Sequence, residues 1–146
     1  MGEPRPFVER LSRSIETLGH GLCAGLDPWW DMMPAEVTAG RETLSEKAEA
    51  CREFCVAVID QLVGVVGVVK PQSAYFEQYG SAGIAAFHGV ARYARSKGLL
   101  VVGDVKRGDI GSTASAYAQS LFRPDHADGR PVFDAVTVNP FFGGDG

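Results

Sequence analysis

No stretch of this sequence approaches the ~20 consecutive apolar residues that a membrane-spanning helix needs, so no membrane partner is expected. Basic charge is not in surplus: 14 Lys and Arg stand against 18 Asp and Glu, a net charge of −4, and the cations are scattered. That balance removes the electrostatic ground for binding nucleic acid or an anionic surface. Cysteine is scarce. Cys23, Cys51 and Cys55 are too few for a disulfide framework and fit a reducing compartment. Cys51 and Cys55 stand one helical turn apart, but with no His or further Cys nearby they read as small buried hydrophobes rather than metal ligands. Neither a GxGxxG nor a Walker pattern occurs. Met1-Gly-Glu-Pro-Arg-Pro6 does not read as a secretory leader, so the expected location is the cytoplasm.

What is present is an alternation of helical and strand-like segments. With 146 residues, 45% of them hydrophobic, the chain is long enough for a single domain, residues 1–146, with a real core. Phe7, Leu11, Ile15 and Leu18 form one stripe of a helix over 7–18, closed by Gly19. Residues 22–27 read as a first strand stopped by Asp27-Pro28. Residues 29–43 show no period and read as a loop. Ser45 is the expected cap of a helix over 46–62, and the β-branched run 63–69 reads as a second buried strand ending on Lys70. Residues 72–80 fit a loop or a short helix, and 81–97 a helix closed by Gly98, with His88 a packed or half-exposed helical residue rather than a ligand. Leu99 to Val102 begins a third strand, 112–121 a helix, 122–133 a loop, and 135–139 a fourth strand ended by Asn139-Pro140. Such alternation implies α/β architecture with a parallel sheet.

The third strand carries the chemistry. If it continues past Val102, its period of two puts Asp104 and Lys106 on one face and Val105 on the other. A carboxylate and an ammonium then stand together at a strand's C-terminal end, where α/β folds place their sites. Asp27 and Lys70 end the first two strands in the same way. Charges at three successive strand ends favour a (β/α) barrel, with the doubly wound sheet still open. Arg107 and Asp109 follow, and Gly111-Ser112-Thr113 is the expected cap of the next helix. Arg107-Gly108-Asp109 also spells an integrin-binding tripeptide, a match too short to carry weight.

The run Asp104-Val-Lys-Arg-Gly-Asp-Ile-Gly-Ser-Thr-Ala114, with Tyr117-Ala118 after it, resembles the signature of orotidine 5′-phosphate decarboxylases. The likeness extends from Leu22 to the C-terminus. It implies a (β/α)8 TIM barrel of which this chain holds about the first four β/α units, since the full fold typically needs ~250 residues. In that family the phosphate is gripped, and the base contacted, by residues late in the barrel. The expectation is therefore a piece of a longer protein, or a barrel whose second half comes from another chain.

The resemblance also implies roles. Asp27 would bond a ribose hydroxyl, and Lys70 would pair with the ribose and with Asp104. Asp104, Lys106 and Asp109 would complete a Lys-Asp-Lys-Asp array, with Lys106 donating a proton to C6 of the pyrimidine and Asp104 beside the leaving carboxylate. The family is a homodimer with shared sites, so Asp109, Ile110 and Thr113 would reach into the neighbouring subunit. Asn139 would line the site. The substrate would be orotidine 5′-monophosphate, with no metal or other cofactor. The alternatives are a Mg-dependent phosphosugar decarboxylase or synthase, which shares the D-x-K-x-x-D core, and an inactive half-barrel fragment.

Overall fold

The computed structural model describes residues 5–124 and 129–142. Residues 1–4, residues 125–128 of the expected loop and residues 143–146 lie outside them. The first apolar stripe forms α1 (Phe7–Leu18) over the expected span. There follow β1 (Cys23–Leu26), a 3-10 turn (Trp30–Met32), the short α2 (Ala35–Thr38), α3 (Leu44–Leu62) and β2 (Val68–Pro71). The remainder is the one-turn α4 (Ala74–Glu77), α5 (Gly80–Ser96), β3 (Leu100–Arg107), α6 (Gly111–Phe122), β4 (Ala135–Val138) and a closing 3-10 turn (Pro140–Phe142).

Three boundaries depart from the sequence reading. The cap of α3 is Thr43, not Ser45. Thr43 Oγ1 accepts the Glu46 N–H at 3.2 Å, and the Glu46 carboxylate accepts the Thr43 N–H at 2.9 Å. Thr43 has a glutamate three residues on and Ser45 does not, so only Thr43 closes the reciprocal pair. The second strand begins at Val68 rather than at 63. Val65 and Val66 donate back to the Leu62 carbonyl, and Gly64 takes φ +77°, which turns the chain before it can extend. Gly111-Ser112-Thr113 does not cap α6. Ile110 holds the cap position without a side-chain bond, and Ser112 and Thr113 lie inside the helix.

The strands are all parallel and lie in the order β1-β2-β3-β4. A doubly wound sheet reverses its strand order at a switch point, so this sequential order favours the barrel arrangement. On one face Leu26, Val69, Val101 and Val105 pack beneath α3 and α5, which contribute Cys51, Cys55 and Ile59, and Val90, Ala91 and Ala94. Both cysteines are fully buried free thiols, as their spacing suggested. Burial contributes about 1.5–3 kcal/mol for each large apolar side chain. Phe76, Phe87 and Phe133 pack with tilted rings at the centre, centroids 5.5 and 5.0 Å apart, and His88 packs its ring edgewise on Phe133. At the N-terminal ends of the strands α1 is tied in by Arg10, 2.6 Å from Asp134, whose other oxygen accepts the Val101 N–H.

Gly83 allows the closest approach in this layer, since a Cβ there would lie 1.8 Å from the Phe76 carbonyl oxygen. Neither helix backbone can yield without moving Phe76 in the core. Gly83→Ala is therefore expected to cost about 2–3 kcal/mol, read as a lower urea midpoint for this chain.

Candidate active site

The opposite face of the sheet carries the charges. Asp104, 5% exposed, sits at the pairing between β2 and β3, where its residue bridges to Gln72 and its carbonyl accepts the Ser73 N–H at 3.1 Å. Its carboxylate is surrounded by donors. Oδ2 accepts from Lys70 Nζ at 2.6 Å and Gln72 Nε2 at 2.9 Å. Oδ1 accepts from Lys106 Nζ at 2.5 Å and the Thr137 hydroxyl at 2.9 Å. Burial alone would push this carboxyl up, but the bonds from Lys106, Lys70 and Thr137 and the Lys70 charge outweigh it and hold the group at about 2.

Lys106 stands on an irregular backbone. The β3–β4 register shifts between Gly103 and Arg107, and Lys106 takes φ +47°, the left-handed region that non-glycine residues rarely enter. Such a conformation costs roughly 1–2 kcal/mol and persists where its surroundings enforce it. Arg107 anchors the next position: its guanidinium pairs with Glu77, donates to the Val105 carbonyl at 2.8 Å and lies 5.9 Å from the Tyr117 ring. The arginine of the integrin-like tripeptide is thus tied into the fold.

Asp104 and Lys106 come together as their spacing suggested, and Lys70 joins them as the resemblance implied. Asp27 stands one residue beyond β1, exposed, with its carboxylate 3.4 Å from where a Gly25 Cβ would be. Gly25 pairs in register with Lys70, so Asp27 lies over the same face. Asp109 and Asn139 are not brought to the cluster. Both line a cleft of about 550 Å³ between α6 and β4, shared with Arg107, Tyr117, Val138 and Phe142. Asp109 Oδ1 accepts the Ile110 N–H at 2.8 Å, and Asn139 Oδ1 accepts the Phe141 N–H at 3.1 Å. Ile110 and Thr113 lie exposed on the same shoulder.

Gln72 and Thr137 complete the carboxylate's shell, and the sequence reading passed over both. The signal was the period of two: Gln72 shares a strand face with Lys70, and Thr137 is the one polar residue of β4.

The held-down carboxyl has a consequence for stability. A group whose folded pKa is depressed contributes stability that is fully present above its unfolded value, near 4, and is lost as pH falls through its folded value. The Asp104 contribution is therefore expected to persist at pH 5 and to vanish between about pH 4 and 2. Asp104→Asn should lower the urea midpoint at pH 7 and flatten its fall across that window relative to wild type.

The model of the orotidine 5′-phosphate decarboxylase/HUMPS family matches residues 21–146. An orotidine 5′-phosphate decarboxylase of Rhodopirellula baltica is 41% identical over 145 residues, 95% of this chain and 47% of that protein. One from Streptomyces coelicolor is 40% identical over 94% of this chain and 46% of its own length. The structure of Leishmania donovani OMP decarboxylase superposes with a TM-score of 0.73 at 34% identity, covering 97% of this chain and 47% of that one. The chain spans about half the length of the curated relatives it matches, and its four strands are the N-terminal half of their barrel. This chain belongs to the orotidine 5′-phosphate decarboxylase/HUMPS family.

Proposed function

We propose that the barrel of which this chain forms the first half removes CO2 from orotidine 5′-monophosphate to give uridine 5′-monophosphate, the last step of pyrimidine nucleotide synthesis. The observation that carries this reading is the buried Asp104 carboxylate held between the Lys70 and Lys106 ammonium groups, 2.6 and 2.5 Å away. Loss of CO2 from C6 leaves an electron pair on an sp2 carbon that the pyrimidine ring delocalises poorly. A fixed ammonium stabilises that charge as it develops and then supplies the proton, which is the role assigned to Lys106. Asp104 holds both lysines and lies beside the substrate carboxylate. Asp27 and Lys70 bond the ribose. The phosphate, remote from the reacting carbon, is held by residues of the second half of the barrel, and its binding energy helps to close the site.

The Mg-dependent relatives share the D-x-K-x-x-D core, but the geometry here speaks against them. Each oxygen of Asp104 is taken by an ammonium group, and two cations 2.5–2.6 Å from the carboxylate would repel a divalent ion from it. The active form is proposed to be a cytoplasmic homodimer in which Asp109, Ile110 and Thr113 reach the neighbouring subunit's site. Asp109 and its exposed neighbours, standing away from the Asp104 cluster, fit that assignment.

The test is an orotidine 5′-monophosphate decarboxylation assay on this chain completed by the second half of the barrel. Turnover is expected to survive excess chelator, and its loss on chelation would favour a metal-dependent relative. Lys106→Ala should lower kcat by about 10³-fold or more with the fold intact. Lys106→Ala and Asp109→Ala, each inactive alone, should recover roughly a quarter of the wild-type activity when mixed as a dimer. No recovery would sink the shared site.

A further inference from the structure

Thr137 makes two bonds at the site, and their directions are fixed by chemistry. A backbone N–H can only donate and an ionised carboxylate can only accept. The Thr137 hydroxyl therefore accepts from Lys106 N at 3.0 Å and gives its single proton to Asp104 Oδ1 at 2.9 Å. The first bond stands in for a missing rung of the sheet. Gly103 pairs with Val136 and Arg107 with Val138, which leaves Lys106 in the register shift between them. A side chain on β4 supplies the acceptor there, at the residue with φ +47°.

The ammonium of Lys106 needs such help. Its side chain is 64% exposed, so packing does little to fix it, and its position rests on the backbone it leaves and on the carboxylate it meets. Thr137 touches both.

We propose that Thr137 is a positioning residue for Lys106: one hydroxyl on the fourth strand locks the left-handed backbone from which the lysine extends and orients the carboxylate that receives its ammonium. The catalytic part of this inference rests on the decarboxylase reading; the geometric part does not. Serine preserves both bonds. Valine keeps the shape of threonine and loses them.

The experiment has two arms. In this chain, NMR should show slow hydrogen exchange at the Lys106 amide in wild type and T137S, and fast exchange in T137V with the Val101 amide unchanged. The Asp104 carboxyl carbon should titrate near its wild-type position in T137S and closer to an ordinary aspartate in T137V. In the completed barrel, T137V should lower kcat by roughly 10- to 100-fold with KM little changed, and T137S should restore it. Unchanged exchange and titration in T137V, or an unchanged kcat, would overturn the proposal. Should T137V fold poorly, the same substitution is made beside K106G, where glycine accepts the left-handed backbone without strain. The fall in urea midpoint should then be smaller than in the Lys106 background, and an equal fall would overturn the proposal. If the completed barrel shows no decarboxylation, the decarboxylase reading fails, while exchange and titration still decide the role of Thr137.

Discussion

A single buried carboxylate organises the polar face of this sheet. Asp104 accepts from Lys70 and Gln72 on and after β2, from Lys106 on β3 and from Thr137 on β4, so three strands meet at two oxygen atoms. The interactions are interdependent. Remove the carboxylate and two ammonium groups face each other across a partly desolvated gap; remove one ammonium and a buried charge loses half its compensation. The backbone of Asp104 also receives the Ser73 N–H, so the same residue helps to set where the chain turns after β2. Site geometry and strand register here are one constraint.

The two faces of the sheet are built on different physics. The helix-facing side is apolar, closed and shape-matched, with Ile59, Val69, Val90 and Val101 fully buried. The other side is polar and held by charge-assisted bonds at strand ends. Towards the β4 edge both weaken. Among the residues described, α6 buries none, Val138 is 65% exposed and Phe141 is 91% exposed. These apolar groups stand where the relatives, about twice as long, carry further barrel.

The sequence was most legible where one physical signal acted alone. The stripe of α1, the alternation of strands and helices and the charges of Asp104 and Lys106 at a strand end each stem from a single periodicity, and each has its counterpart in the fold. It was least legible where two signals competed. The run from Val63 looked like strand, but Gly64 turned it; Ser45 looked like a cap, but the Thr43–Glu46 pair formed the reciprocal one. Asp109 and Asn139 follow the ends of β3 and β4, yet both line a separate cleft beside α6. A lone threonine in an apolar strand is ordinary in sequence; only the missing rung opposite Lys106 gives Thr137 its meaning.

The strand order carries a kinetic consequence. Because β1, β2, β3 and β4 neighbour one another in the order of synthesis, each of these strands after the first docks on an edge already formed. Each pairing closes over a single helical crossover, from Cys23 to Val68, from Val68 to Leu100 and from Val102 to Ala135. A chain emerging from the ribosome can therefore bury α3 and α5 against the first three strands before the fourth is complete, and the Asp104 carboxylate acquires its donors in sequence: Lys70 and Lys106 first, Thr137 last. The charged cluster closes as assembly proceeds.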